Sequence, residues 1–321
     1  MSAYIIRRLL LIIPTLFILT ILVFLSVRFI PGDIVDLIEG SMEYMSAGME
    51  EIDREAVERM LGLDVPVWMQ YGRWMGDILL HGTLGESMLG GSTIEKEILD
   101  RLPTTIQLGL MALGIALVIA LPVGIYSATR HDTFADYVGR SVAIIGLSTP
   151  NFWLGIMVMI FPAIWWGWSP SMKLIPFTED PLGNIGMFLI PSVILGTALS
   201  AGTMRMTRTM MLEVLRQDYI RTAWSKGLKE RAVIVRHAIK NAIIPVVTLV
   251  GMQLPLLVSG SVIMENIFNL PGLGRLMLDA LSQRDYPMVS GINLFFGVVV
   301  IGANLAIDLV YHYLDPRVRY E

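Results

Sequence analysis

The chain has 321 residues, of which 54% are apolar and only 16% charged, whereas soluble globular domains carry about 25% charge. With a mean hydropathy of +0.63, this argues against a soluble enzyme or a disordered scaffold and for an integral membrane protein. The net charge of −4 gives no case for nucleic-acid binding. Zero cysteines remove disulfide frameworks, thiolate zinc sites and cysteine nucleophiles.

Six stretches reach the roughly 20 apolar residues needed to cross about 30 Å of hydrocarbon. The first, Leu9–Ile30, follows Arg7 and Arg8 and runs 22 residues into Pro31-Gly32-Asp33. That exceeds the about 7–15-residue apolar region of a signal peptide, so it reads as a retained helix. Residues 31–101 then carry 15 acids and 5 bases, with two short amphipathic helices predicted around Glu50–Leu61 and Trp68–Leu80. The second span, Leu102–Ala128, repeats Ala112, Ala116 and Ala120 every four residues. The third, Ser141–Trp166, ends in Trp165, Trp166 and Trp168, an interfacial aromatic belt. The fourth, Gly186–Met204, repeats Ser192, Gly196 and Ser200. Both small-residue stripes read as close helix contacts.

Residues 203–241 hold nine bases against three acids. The fifth span, Ala242–Met264, contains Pro245 and Pro255, which are expected to bend or break it. The sixth, Ser290–Tyr313, has Asp308 near one end as the only acid well inside a span. With the N-terminus placed in the cytoplasm, the inner segments hold 15 Lys and Arg and the short outer loops 3, so both termini are predicted to be cytoplasmic. The chain thus divides into a first helix (1–30), an extracytoplasmic loop (31–101), a five-helix core (102–313) containing the loop 203–241, and a cytoplasmic tail (314–321).

Catalytic and phosphate-cradling signatures are missing. No Gly-x-x-x-x-Gly-Lys-Ser/Thr run, His-Glu-x-x-His pair or Gly-x-Ser-x-Gly elbow occurs. His81, His131, His237 and His312 are scattered, which gives no metal site. Uphill transport would therefore draw energy from a partner or an ion gradient.

The most informative stretch is Arg216–Glu230. At helical spacing Tyr219, Ile220, Ala223, Trp224 and Gly227 share one face, with Arg216, Gln217, Arg221, Ser225 and Lys229 toward the other. Gly227 is placed to end the helix in a left-handed conformation. Such a helix either lies on anionic lipid or fits a groove on a soluble protein.

Tyr219-Ile-Arg-Thr-Ala-x-x-x-Gly227 followed by Arg236-His-Ala-Ile-Lys-Asn-Ala-Ile-Ile-Pro245 resembles the conserved loop of binding-protein-dependent ABC importer permeases, closest to the B-type permease of the dipeptide/oligopeptide branch. Arg221-Thr222-Ala223 stands where the general pattern has Glu-Ala-Ala, and the proline lies eighteen rather than about thirteen positions past the glycine. Both departures look like that branch's own variant. Further matches are Arg28-Phe-Ile-Pro-Gly-Asp33, Leu61-Gly-Leu-Asp64 with Pro66 and Gln70-Tyr71, Gly82-Thr-Leu-Gly-Glu-Ser87, Arg101-Leu-Pro-Thr-Thr-Ile106, Ser148-Thr-Pro-Asn-Phe-Trp153, Glu265 through Arg275, and Asp315-Pro-Arg317.

The resemblance implies an all-α, six-helix, type I importer permease fold in the cytoplasmic (inner) membrane. It implies a second homologous permease, two ATPase subunits that bind ATP and Mg, and an extracytoplasmic substrate-binding protein as partners, with no cofactor or metal on this chain. The docking helix would comprise Tyr219, Ile220, Arg221, Thr222, Ala223, Trp224, Ser225, Lys226 and Gly227. Phe268, Pro271, Gly272, Leu273 and Gly274 would form a loop facing the binding protein, or a re-entrant turn that only packs.

From their polarity inside spans, Asn151, Gln253, Asn293 and Asn304 are candidates for lining a path, against plain interhelical hydrogen bonding. The expected cargo is a di- or oligopeptide; the branch also takes oligosaccharides, glutathione and metal chelates. A self-contained secondary carrier or channel is the rival reading and would need a coupling carboxylate buried mid-span. A membrane-embedded hydrolase would need a nucleophile–base pair or metal motif.

Overall fold

The structure, a computed structural model, describes residues 2–28, 64–88, 91–171 and 173–314. The helix expected at Glu50–Leu61 and the matches at 29–33, 61–63 and 315–317 lie outside the described residues. The chain forms two compact units, one of Ile6–Asp100 with Leu276–Val298, the other of Met1–Ile5, Arg101–Arg275 and Val299–Glu321. Its helices are α1 (Ser2–Arg28), α2 (Val67–Gly76), α3 (Ile94–Thr129), α4 (Phe134–Ser148), α5 (Asn151–Trp166), α6 (Pro181–Leu215), α7 (Asp218–Ser225), α8 (Ile239–Ile267), α9 (Leu273–Ser282) and α10 (Tyr286–Leu314). Five are long and apolar enough to cross a membrane, six if α4 and α5 count as one broken span.

That break corrects the third span. Ser141–Trp166 reads as one continuous apolar run, but the axes on either side of Pro150 differ by 87°. Proline disfavours helical backbone in the residue before it, and Thr149 is extended at φ −90°, ψ 120°. The fifth span is not broken: α8 remains helical through Pro245 and Pro255. Those prolines cannot donate to the carbonyls of Asn241 and Gly251. The irregular segment lies just before α8, a π-helical turn at Val233–Ala238. The fourth span is also longer than its apolar core. With no proline or glycine between Thr203 and Leu215, α6 continues past Met204 and carries Arg205 and Arg208 on helix rather than loop.

In the first unit, α2 packs its aromatic residues on α1. Phe24 meets Tyr71 edge-on at 5.2 Å and Trp74 at 5.7 Å, and the Thr20 and Tyr71 hydroxyls hydrogen-bond at 2.8 Å. Arg28 donates to the Gln70 side chain, whose amide donates to the Val65 carbonyl at 2.7 Å. The Gly82–Ser87 motif turns through Gly82 at φ +67° and Gly85 at φ +100°. Ser87 then donates to Asp285 at 2.5 Å, while Asp285 also accepts from the Met288 backbone N–H at the start of α10.

In the second unit the two stripes of small residues meet. Ala112, Ala116 and Ala120 of α3 are fully buried, as is Ser192 of α6. A methyl on Gly196 would sit 2.7 Å from the Ala112 carbonyl oxygen, and one on Gly124 would sit 2.8 Å from Thr207 Cβ. The α3–α6 contact is thus backbone against backbone over several turns, the geometry that small residues permit in a bilayer. Leu108, Phe188, Leu195, Met264, Phe268 and Leu270 fill one end of this packing. Met211, Ile220, Ala223, Val233 and Ala238 fill another cluster.

Each end of α3 is tied by a buried carboxylate. Asp136, at the start of α4, accepts from Arg208 Nε at 3.0 Å and Nη2 at 2.9 Å, from the Ser127 hydroxyl and from the Asp132 backbone N–H. It thereby joins α3, α4 and α6. Glu265, on α8, accepts from Thr105 Oγ1 at 2.7 Å, Ser261 Oγ at 2.8 Å and the Arg275 backbone N–H at 3.0 Å.

Gly196→Ala is expected to lower stability by about 1–3 kcal/mol, because the clashing atom is backbone and cannot rotate away. Gly114→Ala, with nothing within 4 Å, is expected to leave the thermal midpoint unchanged or raised; equal behaviour of the two variants would refute the close contact. Asp136→Asn is expected to cost up to about 3–5 kcal/mol in denaturant unfolding, since it strands a largely buried Arg208. Adding Arg208→Gln should recover part of that loss; no recovery would mean that the ion pair is not what the carboxylate supplies.

Candidate functional site

The basic segment after α6 folds as the sequence suggests. Arg216 and Gln217 close α6, and α7 (Asp218–Ser225) follows at once. Gly227 takes φ +78° and donates its N–H to the Trp224 carbonyl at 2.9 Å, a left-handed helix terminus. A Cβ there would meet nothing within 4 Å. Within this chain, therefore, Gly227 is required for its backbone conformation and not for a close approach.

The apolar face of α7 divides in two. Ile220 is fully buried and Ala223 is 6% exposed, packed among Ala128, Met211, Val233, Ala238 and Ala242. These two hold α7 to the ends of α3, α6 and α8 and are not available to a partner. Tyr219 and Trp224 remain 43% and 44% exposed, and Arg221, Thr222, Ser225, Lys226 and Gly227 are exposed beside them. The Tyr219 hydroxyl accepts from Asn241 Nδ2 at 2.8 Å, which orients its ring. Arg221 lies 3.5 Å from Asp218 one turn back, a solvent-facing pair of little energetic weight. Beneath Trp224 a cleft of about 230 Å³ opens between His131, Leu212, Arg216, Glu230 and Ile234.

Gln253 is 8% exposed and donates from Nε2 to Thr203 Oγ1 at 3.2 Å, linking α8 to α6. Its Oε1 accepts no hydrogen bond among the described residues. Asn151 and Asn293 are half-buried, and Asn304 is exposed. No hydrogen bond joins these four to one another among the described residues.

The turn after α8 is packed inward. Phe268 and Leu273 are 3% and 0% exposed, Gly272 and Gly274 are buried, and only Pro271 is partly open. A Cβ on Gly272 would lie 2.3 Å from the Glu265 carboxylate, and one on Gly274 would lie 2.6 Å from Val262 Cα. Both glycines are therefore demanded by close approach. The Leu273 N–H donates to Thr105 Oγ1 at 2.8 Å, which fastens the turn to α3. Phe268, Gly272, Leu273 and Gly274 are thus buried within the chain, and the accessible edge of the turn is Asn269 and Pro271.

Asp136 and Arg208 were missed in the sequence, although Thr133-x-x-Asp136 resembles a helix-start signal and Thr133 does accept from the Asp136 N–H at 3.4 Å. Glu265 stands out in the sequence only as part of a motif. Both carboxylates are buried, but at helix ends and with several donors each, not free in mid-span as a coupling acid would be. Among the described residues no group of three or more His, Asp or Glu side chains is placed to hold a metal ion.

Residues 120–320 match the family described as binding-protein-dependent transport system inner membrane component, and residues 1–109 match its N-terminal counterpart. The chain is 41% identical over 321 residues to a protein of Brucella abortus (strain 2308) named as a peptide transport system permease, with 100% of each chain covered. It is 38% identical over 323 residues to the oligopeptide transport system permease protein AppB of Bacillus subtilis (strain 168), again with 100% of both covered. Against the dipeptide transport system permease protein DppB of Escherichia coli (strain K12) the figure is 37% over 344 residues, with 100% of both covered.

Two solved structures share the fold. One, described as an amino acid ABC transporter with histidines, superposes with a TM-score of 0.54 at 14% identity, over 68% of this chain and 94% of that one. The other, the MetNI methionine ABC transporter in inward-facing conformations, gives 0.51 at 16%, over 69% and 97%. With its full length matched in sequence and about two thirds matched in fold, the chain belongs to the family of binding-protein-dependent transport system inner membrane components, the permease subunits of ABC importers.

Proposed function

We propose that this permease carries di- or oligopeptides across the cytoplasmic membrane, paired with a second, homologous permease subunit and driven by two ATPase subunits. Its termini and α7 face the cytoplasm, where the Lys and Arg excess lies. An extracytoplasmic binding protein delivers the cargo, and the edge formed by Asn269 and Pro271 is open to it. ATP and Mg2+ belong to the ATPase subunits; this chain supplies the path and the docking helix. The names of its full-length relatives support the peptide assignment.

The observation that carries the docking role is the geometry of α7. A helix of 8 residues is too short to be stable alone in water, so Ile220 and Ala223 must hold it in place. That leaves the Tyr219 ring and Trp224 presented on a rigid mount, with Trp224 at the edge of a cleft. Exposed aromatic residues beside a pocket are what a partner's side chains bind most strongly. Because α7 is packed on the ends of α3, α6 and α8, a push on it is passed to those helices and not absorbed in a loop.

Trp224→Ala is expected to weaken capture of the ATPase subunits by about tenfold or more, the effect of losing one interface hot spot, with the thermal midpoint of the permease unchanged. Ile220→Ala should instead lower that midpoint, at a cost of about 2–5 kcal/mol for an emptied core position. The measurement is binding of the purified ATPase subunits to permease variants in detergent or nanodiscs, alongside thermal unfolding. Undiminished ATPase binding and transport in Trp224→Ala would sink the docking assignment.

A further inference from the structure

A second cavity, of about 260 Å³, lies between α4 and α6 and is lined by Arg140, Ile144, Met204, Arg205, Arg208 and Thr209, among others. Three arginines line it, and the carboxylate paired with two of them is Asp136. That carboxylate is already engaged: Arg208 donates to it twice, Ser127 and the Asp132 N–H also donate, and Arg140 Nη1 stands off at 3.7 Å. Arg205 is exposed and has no ion pair with an acidic side chain among the described residues. One acid against three arginines leaves the cavity with an excess of about two positive charges.

Its surroundings are apolar. On α4, Tyr137, Val138, Val142, Ile144 and Ile145 are between 43% and 64% exposed, a face suited to lipid rather than water. The Arg140 guanidinium lies 5.1 Å above the Tyr137 ring, a cation–π contact that keeps it beside the cavity. Arginine's flat fork is suited to phosphate oxygens. Arg205 lies just past the apolar run that ends at Met204, the level at which a bilayer places its headgroups, and Arg140 lines the same cavity from α4.

We infer that this cavity binds the phosphate of an anionic phospholipid. Arg140 and Arg205 contact the phosphate oxygens; the Thr209 hydroxyl is already donated to the Arg205 carbonyl at 3.0 Å and adds no donor. Ile144 and Met204 meet the glycerol and first methylenes, an apolar wall that a free anion would not use. Arg208 contributes charge while remaining committed to Asp136. The site lies outside the docking helix and calls for nothing from the transported solute.

The test uses the full chain in its assembled complex, delipidated in detergent and titrated with phosphatidylglycerol or phosphatidylcholine, with bound lipid counted by native mass spectrometry. Phosphatidylglycerol is expected to bind about tenfold more tightly than phosphatidylcholine, and Arg205→Gln to cut that preference about fivefold, the weight of one arginine at an anionic surface. Arg205→Lys should retain most of the preference, and neither variant should shift the thermal midpoint, since Arg205 supports no other side chain. A large excess of inorganic phosphate should leave phosphatidylglycerol in place. Displacement by inorganic phosphate, no anionic preference in the unsubstituted complex, or an unchanged preference in Arg205→Gln would each overturn the site.

Discussion

The close approach of α3 and α6 is the contact on which the second unit depends. In hydrocarbon the hydrophobic effect does not drive helices together, so association rests on how near their backbones can come. Ala112, Ala116, Ala120 and Gly124 on one side and Gly196 on the other remove the side chains that would hold them apart. The two buried carboxylates belong to the same design. Thr105, which meets Glu265, and Ser127, which meets Asp136, are 22 residues apart on α3. At 1.5 Å per residue that is about 33 Å, close to the hydrocarbon thickness. The charges thus sit near the two edges, where burying them is least costly, and the uncharged small-residue seam occupies the middle.

This arrangement makes α6 the member that connects the ends. It begins at Pro181, capped by Asp180, runs past the seam, carries Arg208 to Asp136, and stops at Leu215 just before α7. Ile220 and Ala223 return α7 to the same bundle, and the Tyr219–Asn241 hydrogen bond ties it to the start of α8. A segment fastened at both its core and its rim moves with its neighbours as a body. That is the mechanical requirement for a helix that transmits a partner's motion, and packed interfaces meet it because they shift between discrete arrangements instead of deforming smoothly.

Much of this was legible in the sequence because it is written in local periodicity. The apolar runs, the four-residue small stripes, the helix over Trp68–Leu80 and the left-handed Gly227 each depend on residues near one another in the chain. What escaped depends on residues far apart or on a competing rule. Ser141–Trp166 looks continuous by hydropathy, and hydropathy does not register that Pro150 disfavours helical backbone at Thr149. The apolar face of α7 looks uniform on a helical wheel; only the fold shows that Ile220 and Ala223 face the bundle while Trp224 faces away. Asp136 and Arg208 are 72 positions apart, and Glu265 and Thr105 are 160 apart, so no window along the chain could pair them.

The same logic separates the polar residues of the spans. Asn304 is exposed, so lipid, water or a neighbouring chain sets its energy, not the interior of this bundle. Gln253 is different, because its Nε2 is satisfied by Thr203 while its buried Oε1 has no hydrogen-bond partner among the described residues. A half-satisfied amide in a low-dielectric interior costs about 1–3 kcal/mol relative to an apolar residue of the same shape. Packing alone would favour leucine or methionine there, and an interhelical bond alone would be made as well by a smaller hydroxyl. The free acceptor beside Thr203 is the property that neither explanation requires, and it sets Gln253 apart from the three asparagines as the polar position with a cost still to be answered by water or solute.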